Sequence, residues 1–453
     1  MLDITRPLVD FAYKLSLDEV PSETIERTKM FIADYFAASV AGYQINTAFN
    51  TVVLNVVKEE GGAAQSSVLF SDRKFPSSQA AFLNAAFAHG ADMDDGNKQS
   101  AGHVGTHVMP AVFALAEQKR VSWGDVIVAI VIGYDFFNRI AGAAQPGLYN
   151  KGFHSTGIAG SIACAAACAK LLNLDYEGIY NSISMAAVQS SGLIIIDESA
   201  QHCKPINPAN AARIGVLSAL MAEKGLEAPR NPLESTKGWF HAFTDHVNEN
   251  VLFDGLGSVF TIDQSYIKQY PSCRHTHGCI DAIKNIRLSL NKFGLTYKDI
   301  NSILVKIYPN AIRSAGNIKY PHSAGEAKFS IYYAIAKTLL NGNFTLDDLS
   351  VTQDENLVVV VEKINLIEDV AMEDRSAGIR GCKVKAVLNN GMSIEETVLV
   401  PKGEGDNSLN WNDLENKMLS CANGVLSVEE SKNVIQQCRH INVNNKFKPI
   451  KIQ

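Results

Sequence analysis

The spacing of apolar residues is helical from the start of the chain to about residue 260. Ser122 and Asp125 form a capping-box pattern directly before the apolar run 126–132. Residues 157–172 are almost all small, which suits a helix that its neighbours approach closely. Further helical patterns cover residues 22–42, 79–88, 107–118 and 209–224, with Gly42 and Gly225 as expected helix ends.

After residue 265 the pattern changes to a mixture of strands and helices. Ile303, Val305 and Ile307 alternate with more polar positions, as in a half-buried strand. Residues 383–388 and 394–400 flank Asn389-Asn390-Gly391, which predicts a hairpin. The β-branched run 358–361 has the composition of a strand, and helical patterns cover residues 277–290 and 326–340. This region predicts a smaller α+β unit.

The end of the chain returns to helical spacing. Residues 402–407 have the composition of a linker, and helical patterns follow at 411–421 and 428–438, the second with Ser427 as its N-cap. We therefore expect a mainly α protein with three segments. Residues 1–265 begin a large all-helical domain, residues 266–401 form an inserted α+β domain, and residues 402–453 return to the helical domain.

Composition limits the classes of partner. The 453 residues are 46% hydrophobic and 19% charged, with a net charge of -6 and no basic block, so we expect no nucleic acid partner. The longest apolar run, 126–133, is short of the roughly 20 residues of a membrane span, and no secretory signal is recognised. The eight cysteines include no CxxC pair. These features predict a reduced, cytoplasmic protein without membrane contact.

Titratable residues are concentrated between two of the helical patterns. His89, Asp92, Asp94, Asp95, His103 and His107 fall within one short segment that glycines interrupt. Charged groups are costly to bury unless they are paired or used, so this loop is a candidate site for chemistry. The alternative is an ordinary loop whose aspartates cap a helix.

Four more polar clusters interrupt apolar sequence, at residues 152–157, 202–208, 268–277 and 320–326. Several adjoin helix starts, where free N–H groups favour anions. Positive charge would come from His154, Lys204, Lys268, Arg274, His275 and His277. The clusters together predict a pocket for a small carboxylate, with Cys273 and Tyr320 as further substrate-binding candidates. Each cluster alone is more simply explained by capping or surface residues.

A metal site and a catalytic nucleophile are the alternatives to this interpretation. His103-x3-His107 and His275-x-His277 have ligand-like spacing, but HExxH, the EF-hand pattern and paired CxxC are absent from the sequence. The sequence also has no GxSxG, P-loop or Rossmann fingerprint. Metal catalysis and nucleophilic hydrolysis are therefore the less favoured interpretations.

The order of these clusters resembles that of the MmgE/PrpD family, whose members include 2-methylcitrate dehydratases, cis-aconitate decarboxylases and iminodisuccinate epimerases. The matching features are His-x-x-Asp-x-Asp-Asp at 89–95 with a downstream Gly-His, Gly-Phe-His at 152–154, Lys-Pro at 204–205, Lys-x-Tyr-Pro at 268–271 and Glu-Ala-Lys-Phe-Ser at 326–330. No single motif is decisive, but the ordered set is specific.

The resemblance implies a helical domain completed by the C-terminal segment, with the α+β domain as a lid. It also implies a homodimer and catalysis without metal or cofactor. The family's site residues correspond to Asp92, His103, His154, Lys204 and Lys268. Two departures count against a decarboxylase, because Gly96 stands where decarboxylases carry Thr and Cys273 where they carry His.

We expect an enzyme that moves a proton at a carbon next to a carboxylate, in a small di- or tricarboxylate. His103 or His154 would transfer the proton, Asp92 would orient one imidazole, and Lys204 would hold a carboxylate. A dehydratase-type elimination is the first expectation and an epimerisation the second. A decarboxylation ranks third, and a carboxylate-binding protein without catalysis ranks last.

Overall fold

The computed structural model describes residues 3–197, 203–352, 354–374 and 379–452, so His202 of the third polar cluster lies outside the described residues. The chain divides into two compact units. The first comprises Met1–Ser265 together with Trp411–Gln453, and the second comprises Tyr266–Asn410. The second unit is thus inserted in the sequence of the first.

The first unit is helical. Its helices before residue 265 are α1 (Thr5–Lys14), α2 (Ser22–Ile45), α3 (Thr47–Glu60), α4 (Ser77–Ala88), α5 (Gly105–Lys119), α6 (Trp123–Ala143), α7 (Gly147–Asn150), α8 (Ser155–Ile158), α9 (Gly160–Leu171), α10 (Tyr176–Ala187), α11 (Ile206–Glu223), α12 (Trp239–Phe243) and α13 (Glu249–Phe253). The short strands β1 (Ser66–Ser67) and β2 (Lys74–Phe75) pair antiparallel.

The small-residue helix α9 lies at the centre of this unit and packs against α6, α10 and α11. The approach of α11 is close, because a Cβ on Gly215 would lie 2.2 Å from Cβ of Cys164. The helix α6 begins with the predicted capping box of Ser122 and Asp125. It is long and apolar enough to cross a membrane by length and composition, but its apolar window is completely buried inside the unit. We therefore interpret α6 as a core helix.

The sequence pattern predicts that Gly42 ends α2, and this prediction is wrong. The helix continues to Ile45, and Gly42 instead faces the segment after α4. A Cβ on Gly42 would lie 1.9 Å from the Phe87 carbonyl oxygen and 2.8 Å from the Gly90 nitrogen. The glycine is required because the two backbones touch there.

The second unit combines helices with a small sheet. Its elements are α14 (Arg274–Lys292), β3 (Ile300–Ile307), α15 (Pro309–Ala315), α16 (Ala324–Lys328), α17 (Ile331–Asn341), α18 (Glu355–Glu362), β4 (Ile364–Glu368), β5 (Glu373–Asp374), β6 (Ile379–Arg380), β7 (Cys382–Leu388) and β8 (Ser393–Val398). The main sheet has the order β4-β3-β7-β8, and only the pair β3 and β4 is parallel. The predicted hairpin is β7 and β8, and α14 packs on it.

Two local predictions in this unit are wrong. The β-branched run 358–361 is part of helix α18, because Asp354 caps its start and Leu357, Val360 and Val361 form one buried stripe. The helix expected over 326–340 is divided into α16 and α17. Ser330 separates them, since its hydroxyl accepts the N–H of Tyr333 at 3.0 Å and starts a new helix.

The chain then returns to the first unit with α19 (Trp411–Cys421) and α20 (Val428–Arg439), the second capped by Ser427 as predicted. The second unit extends beyond the boundary expected at residue 401. The reason is that Gly403 accepts a hydrogen bond from the Ile267 N–H at 3.0 Å, and Glu404 pairs with Arg274. These contacts attach the glycine-rich segment after Pro401 to the second unit.

Candidate active site

The titratable loop lies between α4 and α5 of the first unit. Its backbone is held in conformations that side-chain-bearing residues rarely adopt, since Asp92 has φ +57° and Ala101 has φ +50°. Such residues cost of the order of 1–3 kcal/mol each and persist only where the surroundings impose them. The side chain of Asn97 restrains the loop from within, because it accepts the N–H groups of Gln99 and Ser100.

A buried ion pair restrains the same loop from outside. Lys417 on α19 pairs with Asp34 on α2, and both side chains are almost completely buried. The Lys417 ammonium also donates to the Met93 carbonyl oxygen at 2.8 Å. A residue of the C-terminal segment therefore holds the backbone directly between Asp92 and Asp94.

Asp95 connects the loop to two helices. Its carboxylate accepts the Gly105 N–H at the start of α5 and the Tyr134 hydroxyl on α6, both at 2.8 Å. Burial raises the pKa of Asp95 to about 7, and the negative charge of Asp34 adds to this effect. The Asp95 side chain therefore links the loop to α5 and α6, although burial disfavours its ionised form.

His103 is half-buried, and its contacts fix which nitrogen carries the proton. Its Nδ1 lies 2.9 Å from the Asp95 carbonyl oxygen and 3.2 Å from Oδ2 of Asp94. Both atoms are acceptors, so Nδ1 must be the donor. In the neutral ring, Nε2 then has a free lone pair that can accept a proton.

His89 stands on the other side of Asp94. It caps the C-terminus of α4, and its Nδ1 lies 2.8 Å from the same Oδ2 of Asp94. The rings of His89 and His103 are 4.8 Å apart. Burial alone would raise the pKa of Asp94, but the two adjacent imidazoles hold it well below its usual value. Asp94 is therefore an ionised carboxylate between two imidazole N–H groups.

His154 precedes α8 and has the opposite proton arrangement. Nδ2 of Asn207 donates to Nδ1 of His154 at 3.0 Å, and it also lies 3.3 Å from the Leu193 carbonyl oxygen. Because Nδ1 accepts, the proton of the neutral ring is on Nε2. Burial, together with the charge of Lys204, holds the pKa of His154 well below its usual value, so the ring is neutral.

Lys204 and Asp92 lie on the Nε2 side of His103. Oδ1 of Asp92 is 3.7 Å from Nε2 of His103 and 3.5 Å from Nζ of Lys204. Lys204 precedes α11, whose first N–H groups add to the positive potential. The sequence predicts that Asp92 orients one imidazole and fixes its tautomer. In the structure that contact to His103 comes from Asp94 and the Asp95 carbonyl.

The ligand-like spacing of His103 and His107 does not place both residues in one group of candidate metal ligands among the described residues. His107 packs against Phe137, with ring centroids 5.1 Å apart, and burial lowers its pKa to about 3. The described residues that bring ligand atoms within 4.8 Å of one another are His89, Asp92, Asp94 and His103. The short contacts within this group are those of imidazole N–H donors to a carboxylate, and the Lys204 ammonium adjoins it. Metal independence stays a prediction.

Arg274 and His277 belong to a buried network of the second unit. Arg274 donates to Glu404, to the carbonyl oxygens of Pro401 and Lys402, and to Nδ1 of His277, which uses all five of its N–H groups. His277 in turn donates from Nε2 to the Ser272 carbonyl oxygen. In this arrangement both side chains hold the second unit together, and Arg274 has no N–H left for a substrate.

The other substrate-binding candidates of the second unit have separate surroundings. His275 bonds to the Tyr308 hydroxyl at 2.5 Å, and burial lowers its pKa to about 3. Lys268 is buried at 2% exposure, and Cys273 is half-buried at the start of α14. The Tyr320 hydroxyl bonds to Glu362, which raises its pKa to about 12. Their roles in binding stay predictions.

The first unit thus brings together the four predicted catalytic residues Asp92, His103, His154 and Lys204. Three partners were missed, namely His89, Asp94 and Asn207. His89 and Asp94 belong to the loop motif, so their presence there was a usable signal. The contact between Asn207 and His154 joins residues far apart in the sequence, and no local pattern indicates it.

Comparison with known proteins gives two matches to family models. The MmgE/PrpD N-terminal domain matches residues 6–250, and the MmgE/PrpD C-terminal domain matches residues 270–441. Together they cover most of the chain, which confirms the resemblance noted from the motifs.

Three relatives illustrate the range of similarity. Cis-aconitate decarboxylase of Aspergillus terreus is 29% identical over 427 residues, covering 88% of this chain and 85% of the relative. Cis-aconitate decarboxylase of Homo sapiens is 26% identical over 454 residues, covering 97% and 92%. 2-Methylcitrate dehydratase of Escherichia coli (strain K12) is 24% identical over 254 residues, covering 52% and 51%.

Proposed function

The chain belongs to the MmgE/PrpD family, and from this premise we propose that it is a lyase that acts on a small di- or tricarboxylate without metal or cofactor. The reaction is the transfer of a proton at the carbon next to a carboxylate. Elimination of water from a hydroxycarboxylate is the first candidate.

The observation that carries this proposal is the opposite proton arrangement of two imidazoles. His103 has its Nδ1–H bonded to acceptors and a lone pair on Nε2, whereas His154 has an occupied Nδ1 and its proton on Nε2. Elimination needs such a pair, because one group removes the proton from carbon while another protonates the departing hydroxyl. In this reaction His103 takes the proton from carbon and becomes an imidazolium, and the neutral His154 donates its Nε2 proton to the departing hydroxyl and becomes an imidazolate close to the Lys204 ammonium.

Lys204 and Asp92 stabilise the charges that develop. The Lys204 ammonium holds a substrate carboxylate, and the positive end of the α11 dipole helps it to stabilise the enolate-like charge. Asp92 is close to both Lys204 and Nε2 of His103. It therefore stabilises the imidazolium that forms when His103 takes the proton.

Decarboxylation of an unsaturated tricarboxylate is the second candidate. Two relatives that match most of this chain are cis-aconitate decarboxylases. In that reaction no base is needed, because carbon dioxide leaves in place of a proton. An imidazole then acts only as an acid that protonates the resulting carbanion. Gly96 and Cys273, which depart from the decarboxylase pattern, are the sequence features against it.

The deciding experiment is NMR in D2O with a panel that contains citrate, 2-methylcitrate, cis-aconitate and dicarboxylates with a 2-hydroxy or 2-amino group. Dehydration gives a vinyl product, decarboxylation releases carbon dioxide with deuterium at the product carbon, and epimerisation gives a deuterated stereoisomer. If no member of the panel is turned over and none exchanges a proton, the proposal is contradicted. A protein that binds a panel member equally well with and without His103, and exchanges no proton, would be a binding protein.

A further inference from the structure

His89 is completely buried and is not explained by packing. Its Nδ1 donates to Asp94, while its Nε2 is buried and has no hydrogen-bond partner among the described residues. A buried polar atom without a partner destabilises the folded protein. An apolar side chain at the end of α4 would avoid that cost, so the histidine must contribute through its Nδ1–H.

The contact of that Nδ1–H is shared with the proposed base. Oδ2 of Asp94 lies 2.8 Å from Nδ1 of His89 and 3.2 Å from Nδ1 of His103. One carboxylate oxygen therefore joins the two rings. The orientation of Asp94 depends on both donors, and Asp94 reinforces the Nδ1–H tautomer of His103 that the Asp95 carbonyl also favours.

We propose that His89 is a positioning residue, which acts through Asp94 to keep Nε2 of His103 free to accept a proton. This inference rests on the proposed proton transfer by His103. When His103 becomes an imidazolium, its Nδ1–H strengthens the bond to the ionised Asp94, and the fixed N–H of His89 prevents the carboxylate from turning away. His89 itself touches no substrate atom in this role.

The test uses two substitutions that differ in the nitrogen they imitate. The amide nitrogen of His89→Asn can take the place of Nδ1, whereas that of His89→Gln reaches the place of Nε2. We expect His89→Asn to keep kcat within about fivefold of wild type. We expect His89→Gln to lower kcat by about 10- to 100-fold with little change in KM, the size that one charge-assisted hydrogen bond corresponds to.

His107→Gln is the matched control. His107 is equally buried, and neither of its nitrogens has a hydrogen-bond partner among the described residues. The same substitution there changes packing but no contact to Asp94, so kcat should stay near wild type. Equal loss of kcat in His89→Asn and His89→Gln, or wild-type kcat in His89→Gln, would overturn the inference.

Two further measurements keep the inference testable if a variant folds poorly or no substrate turns over. Asp94→Asn weakens the same contact. The double variant with His89→Gln should lose no more kcat than the more impaired of the two single variants. Independently, NMR of 15N-labelled histidine reports the tautomer of His103, which should be Nδ1–H in wild type and mixed in His89→Gln. An unchanged tautomer, or a stoichiometric divalent metal that is lost from His89→Gln, would contradict positioning through Asp94.

Discussion

Asp95→Asn is predicted to stabilise the folded protein in a way that grows with pH. Burial, reinforced by the charge of Asp34, raises the pKa of Asp95 from 3.8 to about 7. The folded protein therefore binds this proton more tightly than the unfolded chain. The free energy of unfolding is therefore highest below the pKa of Asp95 in the unfolded chain. It falls as pH rises from that pKa to the pKa in the folded protein, and above pH 7 the stability contributed by the bound proton is lost.

The magnitude follows from the size of this interval. Each pKa unit corresponds to about 1.4 kcal/mol, so roughly three units amount to about 4 kcal/mol at pH 8. Asparagine cannot ionise, yet its oxygen can accept the Gly105 N–H and its amide can donate to the Tyr134 oxygen. The stability advantage of Asp95→Asn should therefore increase by about 3 kcal/mol between pH 5 and pH 8.

Urea denaturation of wild type and variant at several pH values between 5 and 8 measures this difference. Asp135→Asn is the matched comparison, because burial also raises the pKa of Asp135, to about 6. Its charge is compensated by Arg139 at 2.8 Å, so its replacement should destabilise the protein by leaving a buried guanidinium without its carboxylate. A difference between Asp95→Asn and wild type that does not change with pH would refute the reasoning.

Four further predictions concern catalysis, assembly and the loop. His103→Ala should lower kcat by about 10²–10⁴, whereas Lys204→Ala should mainly raise KM; steady-state kinetics that show the reverse would exchange their roles. Activity should survive chelation, and loss in EDTA with recovery on one divalent ion would contradict this. Light scattering should give the mass of a homodimer, and a monomer mass at micromolar concentration would disprove it. Lys417→Met should cost about 3–5 kcal/mol of unfolding free energy, largely recovered when Asp34→Leu is added; equal loss in the double variant would show that the ion pair is not responsible.

The sequence was sufficient to predict the helical first unit and the four residues Asp92, His103, His154 and Lys204 that this unit brings together. Apolar spacing and caps are local signals, and the capping boxes of α6 and α20 formed as expected. The run 358–361 shows the limit of such signals. Its β-branched residues favour a strand, but the cap at Asp354 and the apolar contacts of one helix face outweigh that preference.

The proton arrangement of the site could not be predicted from the sequence. A motif shows that His103 and His154 are present, but the free nitrogen of each ring depends on the atom bound to the other nitrogen. For His154 that atom is the amide nitrogen of Asn207, and for His103 one of the two contacting atoms is the main-chain carbonyl oxygen of Asp95. Such contacts arise only when the helices pack, so sequence reasoning left open which imidazole is the base.

The geometry of the loop also requires the C-terminal segment. Asp92 is in a left-handed conformation that residues with a Cβ rarely adopt, and the adjacent Met93 carbonyl is held by Lys417. The buried charge of Lys417 is in turn tolerated because Asp34 compensates it, and the same Asp34 raises the pKa of Asp95. One ion pair therefore affects both the backbone that presents Asp92 and the carboxyl group that links the loop to α5 and α6. Replacing both charges with apolar residues would cost the core little stability, so the consequence of the pair lies in the loop that it holds.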